Sequence, residues 1–327
     1  MDAGKLGKRL LAALAAASAL VVAWGGHPAQ AAAPETGYVK GDFDGDSHFD
    51  LIFQSRITDS NGNWPVQIWL MDGLVRRAVA TLTPQPAQDF AVVGADDFNR
   101  DGKTDLVLQY EKTAEVEIWL LDGTTRVGAP LRTNTDPPGA VWVVRATGDF
   151  DHDGGADLLW QDPVGNMQAW LMDRERLREV VIPSPAFPNA VNWQIAGTAD
   201  FDHAGDLDFV WHNLDSGKAV VWSMDGDLVR LSDPLATGFT SPSQPAADGG
   251  WRVAAIGKID GAVAMVWQHI APSSGEGIEM PDTDGQIHIW LMGGGGGGGG
   301  NLTALLENQQ YSYPAQPPVG YIIVGPR

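Results

Sequence analysis

The sequence predicts an all-β protein, a β-propeller of five four-stranded blades, and three observations support this fold class. The composition favours short strands joined by turns, since the 327 residues include 40 Gly, 21 Pro and 13 Trp. An acidic motif recurs at nearly regular intervals along the chain, beginning at Asp42, Asp97, Asp149 and Asp200. The two ends of the folded region carry the two halves of one further strand, so they can close a ring.

The N-terminal segment 1–33 has the pattern of a secretory signal peptide. Positive charges at Lys5, Lys8 and Arg9 precede an apolar run over 10–24, and small residues at 29–33 offer a cleavage site. A membrane anchor is the rival interpretation, but this run is shorter than the roughly 20 residues that a span needs. We therefore expect a mature chain of residues 34–327 that is secreted, either extracellular or periplasmic.

Charge and cysteine content exclude several classes of partner and site. The chain has 21 Lys and Arg against 41 Asp and Glu, a net charge of -20, and shows no basic cluster, so nucleic acid is not an expected partner. No later stretch is apolar enough to predict a membrane span. The absence of Cys excludes disulfides and thiolate zinc sites.

Five copies of one unit fill the rest of the chain, at about 37–89, 90–141, 142–192, 193–250 and 251–320. Each copy has a first apolar strand, an acidic loop, a short apolar run, a third strand with a Trp and a looser fourth stretch. Four short strands in each copy predict one propeller blade per copy. The recurrent Trp residues are expected to pack between neighbouring blades.

The chain ends predict how the ring closes. Residues 321–327 begin like the first strand of a sixth unit, and residues 38–41 resemble the second half of that strand. Together they would complete blade 1. Closure of this kind removes open sheet edges, which otherwise invite aggregation.

The acidic loop between the first and second strands predicts calcium sites. Side-chain oxygens at loop positions 1, 3, 5 and 9, with a backbone carbonyl at position 7, match the first part of a calcium-binding loop. The predicted ligands are Asp42, Asp44, Asp46, His48 and Asp50 in blade 1; Asp97, Asn99, Asp101, Lys103 and Asp105 in blade 2; and Asp149, Asp151, Asp153, Gly155 and Asp157 in blade 3. At position 7, the predicted ligand is the backbone carbonyl of His48, Lys103 or Gly155.

The remaining two loops depart from this pattern. Blade 4 has Ala204 at position 5, so a weaker fourth site is predicted from Asp200, Asp202, Asp206 and Asp208. The loop of blade 5 begins at Lys258, is shorter than the others, and is expected to bind no metal. In blade 1, Ser47 stands where the other loops have the turn glycine. The expected cofactor is therefore Ca²⁺ at about three sites and a weaker fourth.

Repeated loops such as Asp149-Phe-Asp-His-Asp-Gly, followed by Trp-Leu-Met-Asp at 170–173, resemble the FG-GAP/VCBS repeats of secreted bacterial proteins. Those repeats are similar to the calcium-binding blades of the integrin α-subunit propeller and of some fungal lectins. The resemblance spans about residues 37–327 and implies a calcium-stabilised propeller used for binding or adhesion. Integrin-type rings have seven blades, and the Phe-Gly and Gly-Ala-Pro signatures are largely missing here. No residue matches the integrin ligand site.

The expected function is a calcium-binding adhesion or binding module, with lectin-like carbohydrate recognition of an extracellular glycan or recognition of a protein ligand. The alternative is a non-catalytic structural or protein-interaction domain. No HExxH, GxSxG, Walker loop or Cys nucleophile is present, so no catalytic residue is predicted. A glycoside hydrolase is less favoured, because the clustered carboxylates are already accounted for as calcium ligands. We expect a monomer.

A ligand site is predicted from two insertions between the second and third strands. They fall in blades 1 and 5, which a five-blade ring makes neighbours, on the face opposite the acidic loops. An exposed Trp flanked by amides and carboxylates suits stacking on a sugar ring. The predicted site is centred on Trp64 and includes Arg56, Asn61, Asn63, Glu276 and Asp282. The alternative is two loops without a ligand.

Overall fold

The computed structural model describes residues 39–185, 192–231, 236–239, 251–259, 262–269, 287–292, 310–312 and 321–327. These residues form strands and turns. Within the same ranges no helix is long and apolar enough to cross a membrane. The predicted signal peptide at 1–33 lies outside the described residues.

Five antiparallel four-stranded sheets form the blades, which confirms the predicted fold class. Innermost strand first, blade 1 is Tyr321–Gly325, Leu51–Ser55, Val66–Asp72 and Val75–Thr81; blade 2 is Phe90–Asp96, Asp105–Tyr110, Val116–Trp119 and Leu131–Arg132; blade 3 is Val143–Gly148, Asp157–Gln161, Met167–Asp173 and Arg176–Val181; blade 4 is Trp193–Ala199, Asp208–Asn213, Ala219–Trp222 and Ala236–Phe239; blade 5 is Trp251–Ile259, Ala262–His269, Ile287–Met292 and Gln310–Ser312. A two-stranded hairpin, Leu121–Asp122 with Thr125–Arg126, extends blade 2.

The ring closes through the two ends of the folded chain. Tyr321–Gly325 pairs with Leu51–Ser55 as the innermost strand of blade 1, and the Asp50 amide continues this ladder by donating to the Gly41 carbonyl at 2.8 Å. The innermost strand of every blade contacts the innermost strands of both neighbouring blades. The predicted closure of the ring by the C-terminal strand is confirmed, whereas residues 39–41 form a turn instead of the second half of that strand, and Tyr38 lies outside the described residues.

Apolar clusters fill the seams between adjacent blades. Among the described residues, five clusters of buried side chains each join two neighbouring blades. Tryptophans of the second and third strands pack against each other within them at tilted angles, as in Trp160 with Trp170, whose ring centroids are 4.9 Å apart, and Trp211 with Trp222 at 5.3 Å. The expected packing role of these tryptophans is confirmed, and burial of such large side chains supplies much of the driving force for folding.

A glutamine at the end of the second strand links consecutive blades. Gln54 donates Nε2 to the Phe90 carbonyl at 2.8 Å and accepts the Val92 amide on Oε1 at 2.9 Å. Gln109 and Gln161 make both corresponding bonds to the next blade, and Gln268 accepts the Ile323 amide at 2.8 Å. We call these four residues the glutamine clamp. Blade 4 has His212 at this position, and its buried Nε2 has no hydrogen-bond partner.

The acidic loops lie on the same face as the hairpins between third and fourth strands. Lys103 Nζ lies 2.7 Å from the Asp122 carboxylate, and His48 Nε2 lies 3.8 Å from that of Asp72. We call this the acidic face. The loops between second and third strands and the connections between blades lie on the opposite face, as strand parity predicts.

Candidate metal sites

The aspartate at loop position 9 anchors each acidic loop to its blade. Its side chain is fully buried, and its two oxygens accept different backbone amides. In blade 3, Asp157 Oδ2 accepts the Phe150 amide at 2.9 Å and Oδ1 accepts the Met172 amide at 2.7 Å. Blades 1, 2 and 4 repeat this arrangement at Asp50, Asp105 and Asp208.

Burial makes these anchoring carboxyls weaker acids than usual. Loss of solvation raises the pKa of Asp157 to about 8 and that of Asp50, Asp105 and Asp208 to about 7, even though the backbone amides oppose this change. Neighbouring carboxylates of the same loop raise these pKa values further. A cation held by the same oxygens would favour the ionised form.

The aspartate at position 1 organises the turn. In blade 1, Asp42 Oδ1 accepts the Gly45 amide at 2.7 Å and Oδ2 accepts the Ser47 amide at 2.8 Å. In blade 3, Asp149 Oδ1 accepts the amide of position 5 at 3.0 Å, and Oδ2 accepts that of position 6 at 2.8 Å. Position 6 has a positive φ throughout, 83° at Gly154 and 71° at Ser47, so Ser47 occupies a left-handed conformation that glycine prefers.

Three of the loops bring three carboxylates together. In each, one oxygen from positions 1, 3 and 9 lies within 4.8 Å of the other two; the triads are Asp42, Asp44 and Asp50 in blade 1, Asp149, Asp151 and Asp157 in blade 3, and Asp200, Asp202 and Asp208 in blade 4. We call these the acidic triads. Donor sets made only of oxygen fit a hard cation such as Ca²⁺.

Blade 2 differs because an amide replaces the carboxylate at position 3. Asn99 donates Nδ2 to Asp101 Oδ2 at 3.0 Å, and its Oδ1 accepts the Asp101 amide at 3.0 Å. Asp97 and Asp105 remain in place as the loop and anchor carboxylates. A cation at this loop would meet less negative charge than at the triads.

Blade 4 holds a full triad although its position 5 is Ala204. Oδ1 of Asp200 is buried without a hydrogen-bond partner, which leaves an oxygen free to ligate. Asp206, expected to substitute for the missing ligand, lies outside the triad, with Oδ1 3.5 Å from His152 Nε2. From the sequence, a weaker metal site was expected in this loop than in that of blade 2. In the structure, the carboxylates of this loop converge as those of blades 1 and 3 do.

The aspartates at loop position 5 in blades 1 and 3 contact arginines, and the sequence did not predict these contacts. Asp46 contacts Arg77, which also bonds Asp44 Oδ2 at 2.6 Å. Asp153 lies 3.0 Å from Arg178 and 2.6 Å from Arg100. Within the described ranges, Asp46 and Asp153 are not among the triad carboxylates.

A signal for two of these arginines exists in the sequence. Arg77 and Arg178 occupy the same bulge position in the fourth strands of blades 1 and 3, opposite the same loop. Arg178 also contacts Asp151, so the two arginines neutralise part of the charge of their loops. The position-7 carbonyls of His48, Lys103 and Gly155 remain predicted ligands.

The structure does not support a ligand site centred on an exposed Trp64. This side chain is only 6% exposed, the Arg56 guanidinium covers its ring at 4.6 Å, and its amide donates to the Pro86 carbonyl. Arg56 in turn contacts Glu111 of blade 2. The prediction of an exposed stacking Trp is therefore wrong, because the insertion folds inward against the neighbouring blade.

The other residues of that predicted ligand site do not come together in the described part of the structure. Asn61 is exposed, while the amide and side chain of Asn63 bond Asp59 within the loop. Glu276 and Asp282 lie outside the described residues. A separate polar hollow of about 400 Å³ lies on the opposite face at blade 2, lined by Phe90, Glu115, Glu117, Arg132 and the 133–137 segment.

Comparisons with known proteins support the repeat assignment. Residues 97–160 match the family model described as an FG-GAP-like repeat. No curated protein matches the chain significantly.

Solved structures give weak likenesses that carry no functional argument. The Dos1 propeller has 10% identity and a TM-score of 0.32, over 80% of this chain and 60% of that chain, so this chain spans less than two thirds of its length. A putative 6-phosphogluconolactonase from Bacteroides uniformis has 14% identity and a TM-score of 0.36, over 90% and 88%. BBS1N in complex with ARL6DN has 13% identity and a TM-score of 0.34, over 86% and 83%.

The sheet order, the closed ring of innermost strands and the family match agree with one another. They identify the chain as a five-bladed β-propeller that carries FG-GAP-like repeat sequence at residues 97–160.

Proposed function

We propose that this chain is a secreted calcium-binding β-propeller that acts as a binding or adhesion module. The observation that carries the proposal is the set of acidic triads, which repeat at equivalent places in blades 1, 3 and 4. A single acidic cluster is common on protein surfaces, but the same three loop positions converge here in three separate blades. Each triad includes a fully buried carboxylate, which is costly to ionise without a compensating cation.

Calcium would neutralise the loop carboxylates and hold each loop against its blade. The triad aspartates would ligate the ion in blades 1, 3 and 4, and the position-7 carbonyls of His48 and Gly155 would be further donors in blades 1 and 3. In blade 2, Asp97, Asn99 and Asp105 would form a weaker site together with the Lys103 carbonyl. At about 1 mM calcium, a site with a dissociation constant of about 10⁻⁴ M adds about 1.4 kcal/mol to the free energy of unfolding. Several sites together would contribute a large part of the usual total of about 5–15 kcal/mol.

Export accounts for the availability of calcium. Extracellular modules bind it with dissociation constants of about 10⁻⁴ to 10⁻³ M, which suits a compartment rich in this ion. The pattern at 1–33 supports secretion, extracellular or periplasmic. The net charge of -20 is compatible with an environment that supplies divalent cations.

The ligand is proposed to be an extracellular glycan or protein, bound without catalysis by a monomer. The three described carboxylate triads belong to the acidic loops, so we assign them to metal and not to acid and base roles in sugar hydrolysis. We propose a glycan because these repeats resemble the calcium-binding blades of some fungal lectins. The opposite face is the proposed binding face, since the acidic face is committed to metal.

The test measures retention of the mature chain on immobilised glycans and on extracellular matrix proteins, with about 1 mM calcium or with excess chelator. We expect retention that needs calcium and is weakened by Asp151→Asn, which removes a triad carboxylate. Asp173→Asn is the matched control, because it removes an exposed carboxylate of the same blade outside the triad. Retention that survives the chelator, or no retention on either surface, would contradict the proposal.

A further inference from the structure

The polar hollow of about 400 Å³ at blade 2 lies between the third strand of that blade and the segment that follows its fourth strand. Val116 lines it on the first side and Thr133 and Asp136 on the second, and the partly buried Phe90 ring is also in its wall. Ligand sites in proteins usually have volumes of about 300–1,000 Å³. The hollow is therefore large enough for a small molecule or for a side chain of another protein.

In blade 1, the side chain of Gln85 fills the corresponding place. Its Oε1 accepts the Val66 amide, and its Nε2 donates to the Val66 carbonyl at 3.2 Å and to the Leu82 carbonyl. The Leu82 amide donates to the Val66 carbonyl at 3.3 Å and is the last backbone bond between the third and fourth strands. The carboxamide of Gln85 thus joins the two strands where their own hydrogen bonds end.

The third strand of blade 2 has the same backbone geometry at this place. Val116 occupies the register position of Val66, since each pairs with the clamp glutamine of its own second strand. The Tyr110 amide donates to the Glu115 carbonyl at 2.8 Å, toward the second strand. Because these groups alternate in direction along a strand, the amide and carbonyl of Val116 point toward the fourth strand and the hollow.

The segment after the fourth strand keeps its register as well. In both blades one residue of this segment, Thr83 or Asn134, donates its amide to a carbonyl in the hairpin of the following blade, at 2.9 and 3.2 Å. Counted from this contact, Asp136 stands where blade 1 has Gln85. An ionised aspartate has no N–H to donate, and this side chain is exposed. Blade 2 therefore lacks the carboxamide that blade 1 supplies from its own chain.

The backbone groups that such a carboxamide would join are open in blade 2. Among the described residues, none accepts a hydrogen bond from the Val116 amide, and none donates to the carbonyl of Thr133, which corresponds to Leu82. The loop between the second and third strands packs on the Gln85 segment in blade 1 but is shorter in blade 2. The hollow therefore presents one donor and one acceptor to solvent.

The charges in the wall of the hollow disfavour an anionic ligand. The wall carries three carboxylates, those of Glu115, Glu117 and Asp136, against the one guanidinium of Arg132. This guanidinium is already bonded to Glu117 at 2.9 Å and lies 3.9 Å from Glu115. A carboxylate ligand would be repelled, and it would offer no N–H to the Thr133 carbonyl. A neutral primary carboxamide avoids both penalties.

We propose that the hollow binds the primary carboxamide of a glutamine side chain in a protein ligand. The oxygen of this group accepts the Val116 amide and its nitrogen donates to the Thr133 carbonyl, as Gln85 does in blade 1, while Phe90 offers an apolar surface to the methylene groups. Sugars carry secondary amides, whose N–H points away from the oxygen, so one edge of such a group cannot make both bonds. The inference rests on the proposed binding function, because it uses the opposite face and makes the ligand a protein.

The Val116 amide signal in the heteronuclear NMR spectrum of the mature chain tests the site directly, with calcium held constant. The probes are two peptides, acetyl-Ala-Gln-Ala and acetyl-Ala-Glu-Ala, which differ only in the carboxamide. We expect a saturable shift of this signal with the glutamine peptide and an affinity about tenfold lower, or less, for the glutamate peptide.

Two substitutions at one position separate occupation of the hollow from a simple change of charge. Asp136→Gln supplies the carboxamide from the chain itself, so it should abolish binding of the glutamine peptide and raise the melting temperature. Asp136→Ala removes the same charge but leaves the hollow open, so it should bind this peptide at least as tightly as the unmodified chain. Asp173→Gln, at an exposed carboxylate of the acidic face, is the matched control and should change neither property.

The outcomes for this site and for the proposed function are distinguishable. No saturable shift with the glutamine peptide, equal affinity for the two peptides, or undiminished binding by Asp136→Gln would overturn the site. Peptide binding in a chain that is not retained on matrix proteins would support the site and contradict only the proposed function. Retention on those proteins without any peptide binding would overturn the site alone.

Discussion

His212→Gln should stabilise the propeller by completing the glutamine clamp. In blade 3, Gln161 donates to the Trp193 carbonyl at 3.1 Å and accepts the Ile195 amide at 3.0 Å, which joins blade 3 to blade 4. The equivalent groups in blade 5 are the Trp251 carbonyl and the Val253 amide. A glutamine at position 212 would reach both in the same geometry, because the second strands have the same register with their inner neighbours.

The gain at neutral pH follows from these two bonds. Each intramolecular hydrogen bond contributes about 0.5–1.5 kcal/mol net, so two contribute about 1–3 kcal/mol. The substitution also removes an edge-on contact between His212 and Trp267, whose ring centroids are 5.6 Å apart. Loss of that contact costs about 0.5–1.5 kcal/mol. We therefore expect a net increase of about 1 kcal/mol in the free energy of unfolding.

A larger difference should appear in acid. Burial, assisted by the charge of Arg252, lowers the pKa of His212 to about 4, below its usual 6.5. Because the unfolded chain binds this proton first, the histidine reduces stability as pH falls from about 6.5 to about 4. The loss reaches about 2 kcal/mol at pH 5 and about 3 kcal/mol at pH 4. Glutamine does not titrate, so the variant escapes this loss.

Urea unfolding at pH 7 and pH 5, with calcium held constant, measures both effects. The stability difference between His212→Gln and the unmodified chain should be about 2 kcal/mol larger at pH 5 than at pH 7, and other titrating groups cancel in this comparison. Gln161→His is the converse control and should lose about 1–2 kcal/mol at pH 7, because it removes two such hydrogen bonds. A variant no more stable than the parent at either pH would refute the clamp argument.

Two further substitutions test local features by thermal unfolding. Ser47→Gly should raise the free energy of unfolding by up to about 1 kcal/mol, because position 47 has a φ of 71° that strains a side chain; an unchanged or lower melting temperature would contradict this. Trp64→Ala should cost about 3–5 kcal/mol, because a buried aromatic ring is lost; a melting curve equal to that of the parent would show that this ring is not part of the core.

The sequence predicted the blades and the ring closure because both depend on local, repeated patterns. The second and third strands carry the same apolar and Trp pattern in each unit, and the two half strands at 38–41 and 321–327 match one interior repeat. A Gln also recurs at the end of the second strand in four of the five units. Its role needs the position of the next blade, which only the structure supplies.

The candidate site was predicted in part. Spacing predicted oxygen donors at the right loop positions, but it could not show that positions 1, 3 and 9 converge while Asp46 and Asp153 face arginines. Those contacts join a loop to a bulge in the fourth strand of the same blade. The recurrence of Arg77 and Arg178 at equivalent positions is visible in the sequence, but the bulge that directs them to the loop is known only from the structure. The exposure assigned to Trp64 failed for the same reason, since Arg56 and the Pro86 carbonyl cover it from elsewhere in the fold.

The most direct test of the account is a calcium titration of the chelator-treated mature chain by calorimetry, with a melting curve at each end point. We expect saturable binding at three or four sites per chain, and a melting temperature several degrees higher with calcium than with excess chelator. Asp151→Asn should remove one site and Asp173→Asn none. No saturable binding, together with identical melting curves in calcium and in chelator, would contradict the claim that the acidic loops are calcium sites that hold this propeller together.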